Sequence, residues 1–138
     1  LLEWKRRLTK MIYTTYLSRL KDIPEGAIKV CISRQAPQET LKKFNCMHAL
    51  SLAPSPWLLR EYKEHGDFKK FKDRFIEEKK VVTSKERDET LKILELCKKN
   101  DVYLICYEKD YTKCHRSIVA QLISNKLEIP WEEAQHDK

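Results

Sequence analysis

The chain has 138 residues, of which 41% are hydrophobic and 36% are charged. This length excludes two ordinary domains, and the composition predicts one domain with a real core beneath a highly charged surface. The net charge of +7 is compatible with an acidic partner such as nucleic acid. However, acidic residues recur beside the lysines, and this pattern is more typical of solvated helix faces.

The composition also argues against several kinds of protein. The chain has two glycines, which is too few to favour a Gly-rich phosphate-binding loop. No apolar run approaches the roughly 18 residues that a membrane-spanning helix needs, so we expect no membrane association. Residues 1–7 carry early charges and lack the apolar core of a signal peptide, which predicts a cytoplasmic location.

The sequence contains five cysteines and no Cys-x-x-Cys pair. Cys31, Cys97 and Cys106 lie inside apolar runs, where a thiol behaves as a small hydrophobic group. Because the total of five cysteines is odd and no signal peptide is visible, we expect reduced thiols rather than a disulfide framework. A structural zinc ribbon is also disfavoured.

The first elements are predicted to be strands, followed by a short helix. Residues 1–10 are predicted to be an appendage, either a natural extension or an expression remnant. Residues 11–17 are rich in β-branched and aromatic side chains and 27–32 are mostly apolar, which predicts two strands. A short helix is predicted over 38–44, whereas 47–52 is ambiguous between strand and loop.

Capping signals predict three helices in the middle of the chain. Ser55 as N-cap and Pro56 at the first helical position begin one helix. An aromatic stripe at helical spacing predicts a second helix over 67–79. Thr83 and Glu86 form a capping box that begins the third.

The third helix is predicted to present Leu91, Leu94 and Cys97 on its inner face. Asn100 is predicted to adopt the left-handed conformation that often ends a helix. A strand from residue 102 to 106 or 107 is predicted to follow it.

A last helix is predicted from about residue 113 to 126, with an inward face formed by Ile118, Val119, Leu122 and Ile123. Helices that alternate with short apolar strands predict a small single α/β domain over residues 11–127. In this fold a short, largely parallel sheet is flanked by helices. Residues 128–138 are predicted to be a C-terminal tail.

The candidate site lies beyond the strand ends, where ligands bind in parallel α/β sheets. Two segments would meet there, Ser33–Arg34 and residues 107–116. The second segment places Lys113, His115 and Arg116 at a helix start, where the macrodipole disfavours cations by up to about 1 kcal/mol. An anion held among them and the free backbone N–H groups would explain this cluster.

Cys106 and Cys114 bracket the turn before that helix. Cys106 either packs in the core or presents a thiol at the strand tip. Cys114 either packs inward or becomes a thiolate nucleophile or metal ligand, activated by the helix N-terminus and neighbouring cations. Neither residue begins the Cys-x5-Arg loop of cysteine phosphatases, which argues against that chemistry.

The polar residues of the candidate site each have two interpretations. Glu108 is a general base or an orienting group for His115, or it is part of a solvated turn. His115 itself is an acid, a base or a metal ligand, or a hydrogen-bonded and half-buried side chain. Arg34 and Arg116 would each bind a phosphate or carboxylate, which belongs either to a ligand or to an internal Asp or Glu. The further candidate contacts to an anion are Ser33 and Lys109.

No metal site is predicted, although Cys106, Cys114 and His115 are of ligand-forming types. Adjacent residues of a helix point about 100° apart, so Cys114 and His115 would converge on one ion only with difficulty. The residues identify no cofactor.

The candidate site contains two neighbouring motifs, Cys106-Tyr-Glu-Lys-Asp110 and Cys114-His-Arg-Ser117. With them the sequence resembles the domain of unknown function 488 family over residues 11–127. The resemblance implies a small, soluble α/β protein but no particular reaction. Further matching segments are Met11–Tyr16, Ile32–Pro37 and Leu52–Leu59. The positions that the family marks carry the expected residues here and are Arg34, Cys106, Glu108, Cys114, His115 and Arg116.

The leading functional prediction is an enzyme that acts on a phosphate-bearing ligand, either a nucleotide-like small molecule or nucleic acid. Arg34, Arg116 and the helix N-terminus would hold the anion. Cys114 or His115 would carry out covalent or proton-transfer work, with Glu108 in support. The alternatives are a non-catalytic module that binds nucleic acid or protein, and a thiol-based redox or metal sensor.

Overall fold

The computed structural model of the chain describes residues 10–136. Its five strands are β1 (Ile12–Tyr16), β2 (Ile28–Cys31), β3 (Met47–His48), β4 (Val102–Cys106) and β5 (Trp131–Glu133). They form one sheet in the order β3-β2-β4-β1-β5, and every pairing is parallel. This confirms the prediction of an α/β fold with a largely parallel sheet.

The helices lie between the strands along the chain, as parallel connections require. They are α1 (Gln38–Lys43), α2 (Pro56–His65), α3 (Phe68–Lys80), α4 (Ser84–Lys99) and α5 (His115–Leu127). Three short 3₁₀ segments complete the fold, at Leu17–Asp22, Leu50–Leu52 and Tyr111–Lys113. Within residues 10–136, no helix is long and apolar enough to cross a membrane.

The central strand β4 divides the core between the two faces of the sheet. Val102, Leu104 and Cys106 belong to the larger cluster, which α2 to α5 cover. Tyr103 and Ile105 alternate with them and join the smaller cluster on the opposite face. Because side chains alternate along a strand, the last residue, Cys106, points to the face that carries α5. The fold thereby places this thiol beside the start of α5.

The predicted helix caps are present. The Ser55 side chain accepts a hydrogen bond from the Leu58 N–H, and Pro56 is the first residue of α2. The side chain of Thr83 accepts from the Glu86 N–H while the Glu86 carboxylate accepts from the Thr83 N–H, which is a complete capping box. These local interactions define where α2 and α4 begin.

The end and the inner face of α4 differ from the prediction. Asn100 is extended (φ −143°, ψ 160°) rather than left-handed, and its side-chain amide donates to the Leu96 carbonyl instead. Leu91 is 52% exposed, whereas Ile93 is fully buried beside Leu94 and Cys97. Relative to the predicted orientation, the helix is rotated about its axis so that Ile93 instead of Leu91 packs into the core between helix and sheet.

The α5 helix also differs from its prediction in two details. It begins at His115, and Cys114 is its extended N-cap residue (φ −126°, ψ 145°). Leu122 is 40% exposed, whereas Ile118, Val119 and Ile123, the other residues predicted to face inward, are buried.

The segment predicted to be a C-terminal tail, residues 128–138, contributes to the sheet. Trp131–Glu133 pairs in parallel with β1 and forms the edge strand β5. Glu133 also accepts a hydrogen bond from Thr14 Oγ1 at 2.6 Å. These long-range contacts, rather than local strand propensity, hold this short segment in place. The predicted appendage, residues 1–10, lies outside the described residues except for Lys10.

Candidate functional site

A cleft of about 670 Å³ opens where β2, β4 and the N-terminus of α5 meet. Its lining includes six of the predicted site residues, contributed by three segments. They are Ser33, Arg34, Cys106, Glu108, Cys114 and His115. The cleft lies at the C-terminal edge of a parallel sheet, which is where ligands bind in such folds.

Cys114 lies at the boundary between the 3₁₀ turn and α5. Its side chain is 5% exposed and lines the cleft. As the N-cap residue it lies at the positive end of the α5 dipole, and its carbonyl accepts a hydrogen bond from the Ser117 N–H of the first turn.

His115 is buried, and its hydrogen bonds define its tautomer. Nε2 lies 2.6 Å from the Ile32 carbonyl oxygen, which can only accept, so Nε2 carries the proton. Nδ1 is therefore the free basic atom, and it lies 3.9 Å from Cys114 Sγ. Burial, together with nearby cationic side chains, lowers the pKa of His115 to about 4, so the imidazole is neutral at pH 7.

The sulfur atoms of Cys106 and Cys114 are in disulfide contact. The expectation of reduced thiols rather than a disulfide framework did not include this pair, and the other three cysteines, Cys31, Cys46 and Cys97, are free. The Cα atoms of the pair are 7.7 Å apart. Most disulfides span about 4.4–6.8 Å between Cα atoms, so this backbone spacing is wide for a permanent crosslink.

Cys106, Cys114 and His115 form a compact cluster of ligand-forming atoms. Their sulfur and nitrogen atoms all lie within 4.8 Å of one another, and all three residues are buried. If Cys114 and His115 were both helical, their side chains would point about 100° apart and would converge on one ion only with difficulty. The extended backbone of Cys114 removes that obstacle, because the two side chains are no longer set by the helical rotation.

Arg116 does not line the cleft. Its side chain is fully buried, and every N–H group of its guanidinium has an internal acceptor. Nε and Nη2 donate to the two carboxylate oxygens of Glu133 at 3.1 and 2.8 Å. Nη1 donates to Cys106 Sγ at 3.2 Å and to the Glu108 carbonyl, and Nη2 also donates to the Lys109 carbonyl. Of the two interpretations given for Arg116, these contacts favour an internal carboxylate partner.

Arg34 is oriented toward the cleft by backbone acceptors. Nε donates to the Pro54 carbonyl at 3.0 Å, and Nη2 lies 3.4 Å from the Ala53 carbonyl. Among residues 10–136, no carboxylate lies within 4.0 Å of this half-buried guanidinium. Arg34 therefore has no direct ion-pair partner at the cleft wall, although the more distant Glu86 carboxylate feels its charge.

The remaining predicted residues differ in their access to the cleft. Ser33 lines it, and its carbonyl accepts a hydrogen bond from His48 Nε2 at 2.7 Å. Glu108 also lines it with an exposed side chain, and its carboxylate accepts from the Asp110 N–H. Lys109 is exposed but is not part of the lining, so the structure gives its ammonium no contact with this site.

Two cationic residues of the cleft were missed by the sequence analysis. Arg60 and Lys63 of α2 contribute to the wall, beside Leu59 and Pro56 of the same helix. These positions follow the spacing i, i+3, i+4 and i+7, which marks one face of a helix. That periodicity was a usable signal, but it did not indicate that this face borders the cleft.

A family model described as the active DUF488-N3 subclade, DUF488-N3a, matches residues 12–127. Neither the curated proteins nor the solved structures contain a match to the chain. The matched range covers the strands β1 to β4, all the helices and the complete cluster at the start of α5. The chain therefore belongs to the DUF488-N3a family.

Proposed function

We propose that the protein is an enzyme that acts on a phosphate-bearing ligand, a nucleotide or nucleic acid, bound in this cleft. The observation that carries the proposal is the charge of the lining around a buried Cys114–His115 pair. The cationic lining residues are Arg34, Arg60, Lys63 and Lys113, and among the described residues that line the cleft Glu108 is the one carboxylate.

Arg34 is the principal anion contact in this proposal. Its backbone partners hold the guanidinium in place without an ion pair, so a phosphate would be its direct ionic partner. Arg60, Lys63 and Lys113 are exposed and extend the positive potential to the mouth of the cleft. Such a potential attracts phosphates and raises their local concentration.

Cys114 is the reactive group. In the reduced protein its thiol donates to Nδ1 of His115, which the Ile32 carbonyl keeps in the accepting tautomer. Loss of that proton gives a thiolate that the N-terminus of α5 stabilises. Arg116 acts as a positioning residue, since it fixes the loop that carries Glu108 and Lys109.

Binding of phosphate ligands tests this proposal. Inorganic phosphate, a nucleoside monophosphate and a short single-stranded oligonucleotide would be titrated by calorimetry into the wild type and Arg34→Ala. A charged hydrogen bond contributes about 1.5–3 kcal/mol, so we expect Arg34→Ala to weaken binding about 10- to 100-fold. The matched control is Arg19→Ala, because Arg19 lies outside the cleft and pairs with Asp22.

Equal affinities in Arg34→Ala and Arg19→Ala would overturn the anion-binding role of the cleft. Catalysis is tested separately, because Cys114→Ser should abolish turnover of a bound nucleotide while phosphate affinity is kept. Steeply salt-dependent oligonucleotide binding without any turnover, unchanged in Cys114→Ser, would instead indicate a non-catalytic binding module.

A further inference from the structure

We propose that the reduced cluster of Cys106, Cys114 and His115 binds one zinc ion, whose fourth coordination position faces the cleft. The inference does not depend on phosphate binding, because it rests on the positions of three donor atoms. Two thiolates and one imidazole form a ligand set that zinc uses in catalytic sites, where a water or substrate atom takes the fourth position.

The donor atoms lie close to the spacing that a tetrahedral ion requires. With Zn–S and Zn–N bonds of about 2.3 and 2.0–2.1 Å, neighbouring donors lie about 3.5–3.8 Å apart. Cys114 Sγ and His115 Nδ1 are already 3.9 Å apart, and the three donor atoms lie within 4.8 Å. The two sulfur atoms must separate, for which the 7.7 Å between their Cα atoms leaves room, and the donor atoms of Cys106 and His115 must approach one another.

The three ligands come from positions that the fold holds firmly. Cys106 ends the central strand β4, Cys114 is the N-cap of α5, and His115 is the first residue of that helix. All three are at most 7% exposed. A metal site built on rigid elements loses little conformational entropy when the ion binds.

Two of the ligands also have the supporting hydrogen bonds that metal sites show. Ligating histidines usually donate their second ring N–H to a carbonyl or carboxylate, and His115 Nε2 donates to the Ile32 carbonyl at 2.6 Å. This bond leaves Nδ1, the atom nearest Cys114, free to coordinate. Arg116 Nη1 donates to Cys106 Sγ at 3.2 Å, and its positive charge favours the thiolate that zinc requires.

The open side of the cluster gives the ion a chemical role. Both cysteines and His115 line the cleft, so a bound water or a phosphate oxygen can reach the fourth position. The zinc ion would act there as a Lewis acid or lower the pKa of its water. In the zinc-bound form Cys114 would be a ligand of the ion, and the direct reaction of its thiolate proposed above would belong to the metal-free reduced form.

Metal binding by the full-length chain tests the inference without an activity assay. The protein would be reduced with a phosphine, loaded with zinc alone and dialysed, and bound zinc measured by atomic emission. We expect one ion per chain in the wild type and loss of that ion in Cys106→Ser and His115→Gln. Cys46→Ser is the matched control, because Cys46 lies on the opposite face of the sheet and should leave binding unchanged.

Cobalt binding by the wild type is a second test, which does not depend on whether the variants fold. We expect a thiolate-to-cobalt charge-transfer band and the intense visible bands of a tetrahedral ion. Diamide should then release the metal, since it takes up two electrons and two protons as the two cysteines form their S–S bond. A reduced wild type that binds no zinc and shows no such band would overturn the inference, whatever its affinity for phosphate.

Discussion

Arg116 and Glu133 form a two-pronged ion pair that joins the start of α5 to the edge strand β5. Nε and Nη2 donate to the two carboxylate oxygens at 3.1 and 2.8 Å, and the arginine side chain is fully buried. Because the same guanidinium also binds Cys106 Sγ, the pair connects the sheet edge to the candidate site. Arg116 is thus a structural support for the cluster rather than a ligand contact.

Glu133→Ala is expected to lower the free energy of unfolding by about 3–5 kcal/mol, because it leaves the Arg116 charge buried without its partner. The measurement is chemical denaturation at pH 7. Glu132→Ala is the matched control on the same strand, since Glu132 is exposed, and it should change stability by less than about 0.5 kcal/mol. Similar losses in both variants would show that the pair contributes nothing specific.

Truncation after Leu127 is expected to destabilise the protein more than Glu133→Ala does. The truncated chain keeps the whole family match but loses the β5 pairing with β1 as well as the carboxylate. Thermal unfolding followed by circular dichroism would compare the two proteins. A truncated chain with the melting temperature of the wild type would contradict the placement of β5 in the folded domain.

Thr83→Ala is expected to lower stability by about 1 kcal/mol at pH 7 through loss of the α4 cap. Hydrogen bonds from the backbone and side chain of Thr83 lower the pKa of Glu86 below its ordinary 4.5. The carboxylate therefore contributes stability above pH 4.5, and this contribution is lost as the pH falls through the lowered pKa. The difference between wild type and Thr83→Ala should shrink below pH 4.5 in denaturant titrations, and a constant difference would contradict this.

Alkylation of the reduced protein should distinguish the cleft cysteines from the others. Burial raises the pKa of Cys46 to about 12 and that of Cys97 to about 11. At most about one molecule in ten thousand carries either thiolate at pH 7, so both should react slowly, with rates that rise tenfold per pH unit. Cys114 should react first in peptide mass spectrometry, and equal rates for Cys46 and Cys114 would argue against an activated thiol.

Local sequence determined the longer elements and the position of the candidate site, but not the short strands β3 and β5. The capping residues Ser55 and Thr83 act on N–H groups within three positions of themselves, so the starts of α2 and α4 could be predicted. The apolar run ending at Cys106 predicted the central strand in the same way. Because parallel sheets bind ligands at their C-terminal edge, the motif after this strand located the site.

Tertiary structure alone decided which contacts the candidate site residues make. Arg116 pairs with Glu133 on the edge strand β5, and the residues around Glu133 do not predict a strand. This pairing keeps the Arg116 side chain out of the cleft lining. His115 exposes Nδ1 to Cys114 because Ile32, 83 residues earlier, supplies the carbonyl for Nε2. Patterns of neighbouring residues determine helices, strands and caps. Partners that are distant along the chain determine which atoms are paired, which stay charged and which remain free to react.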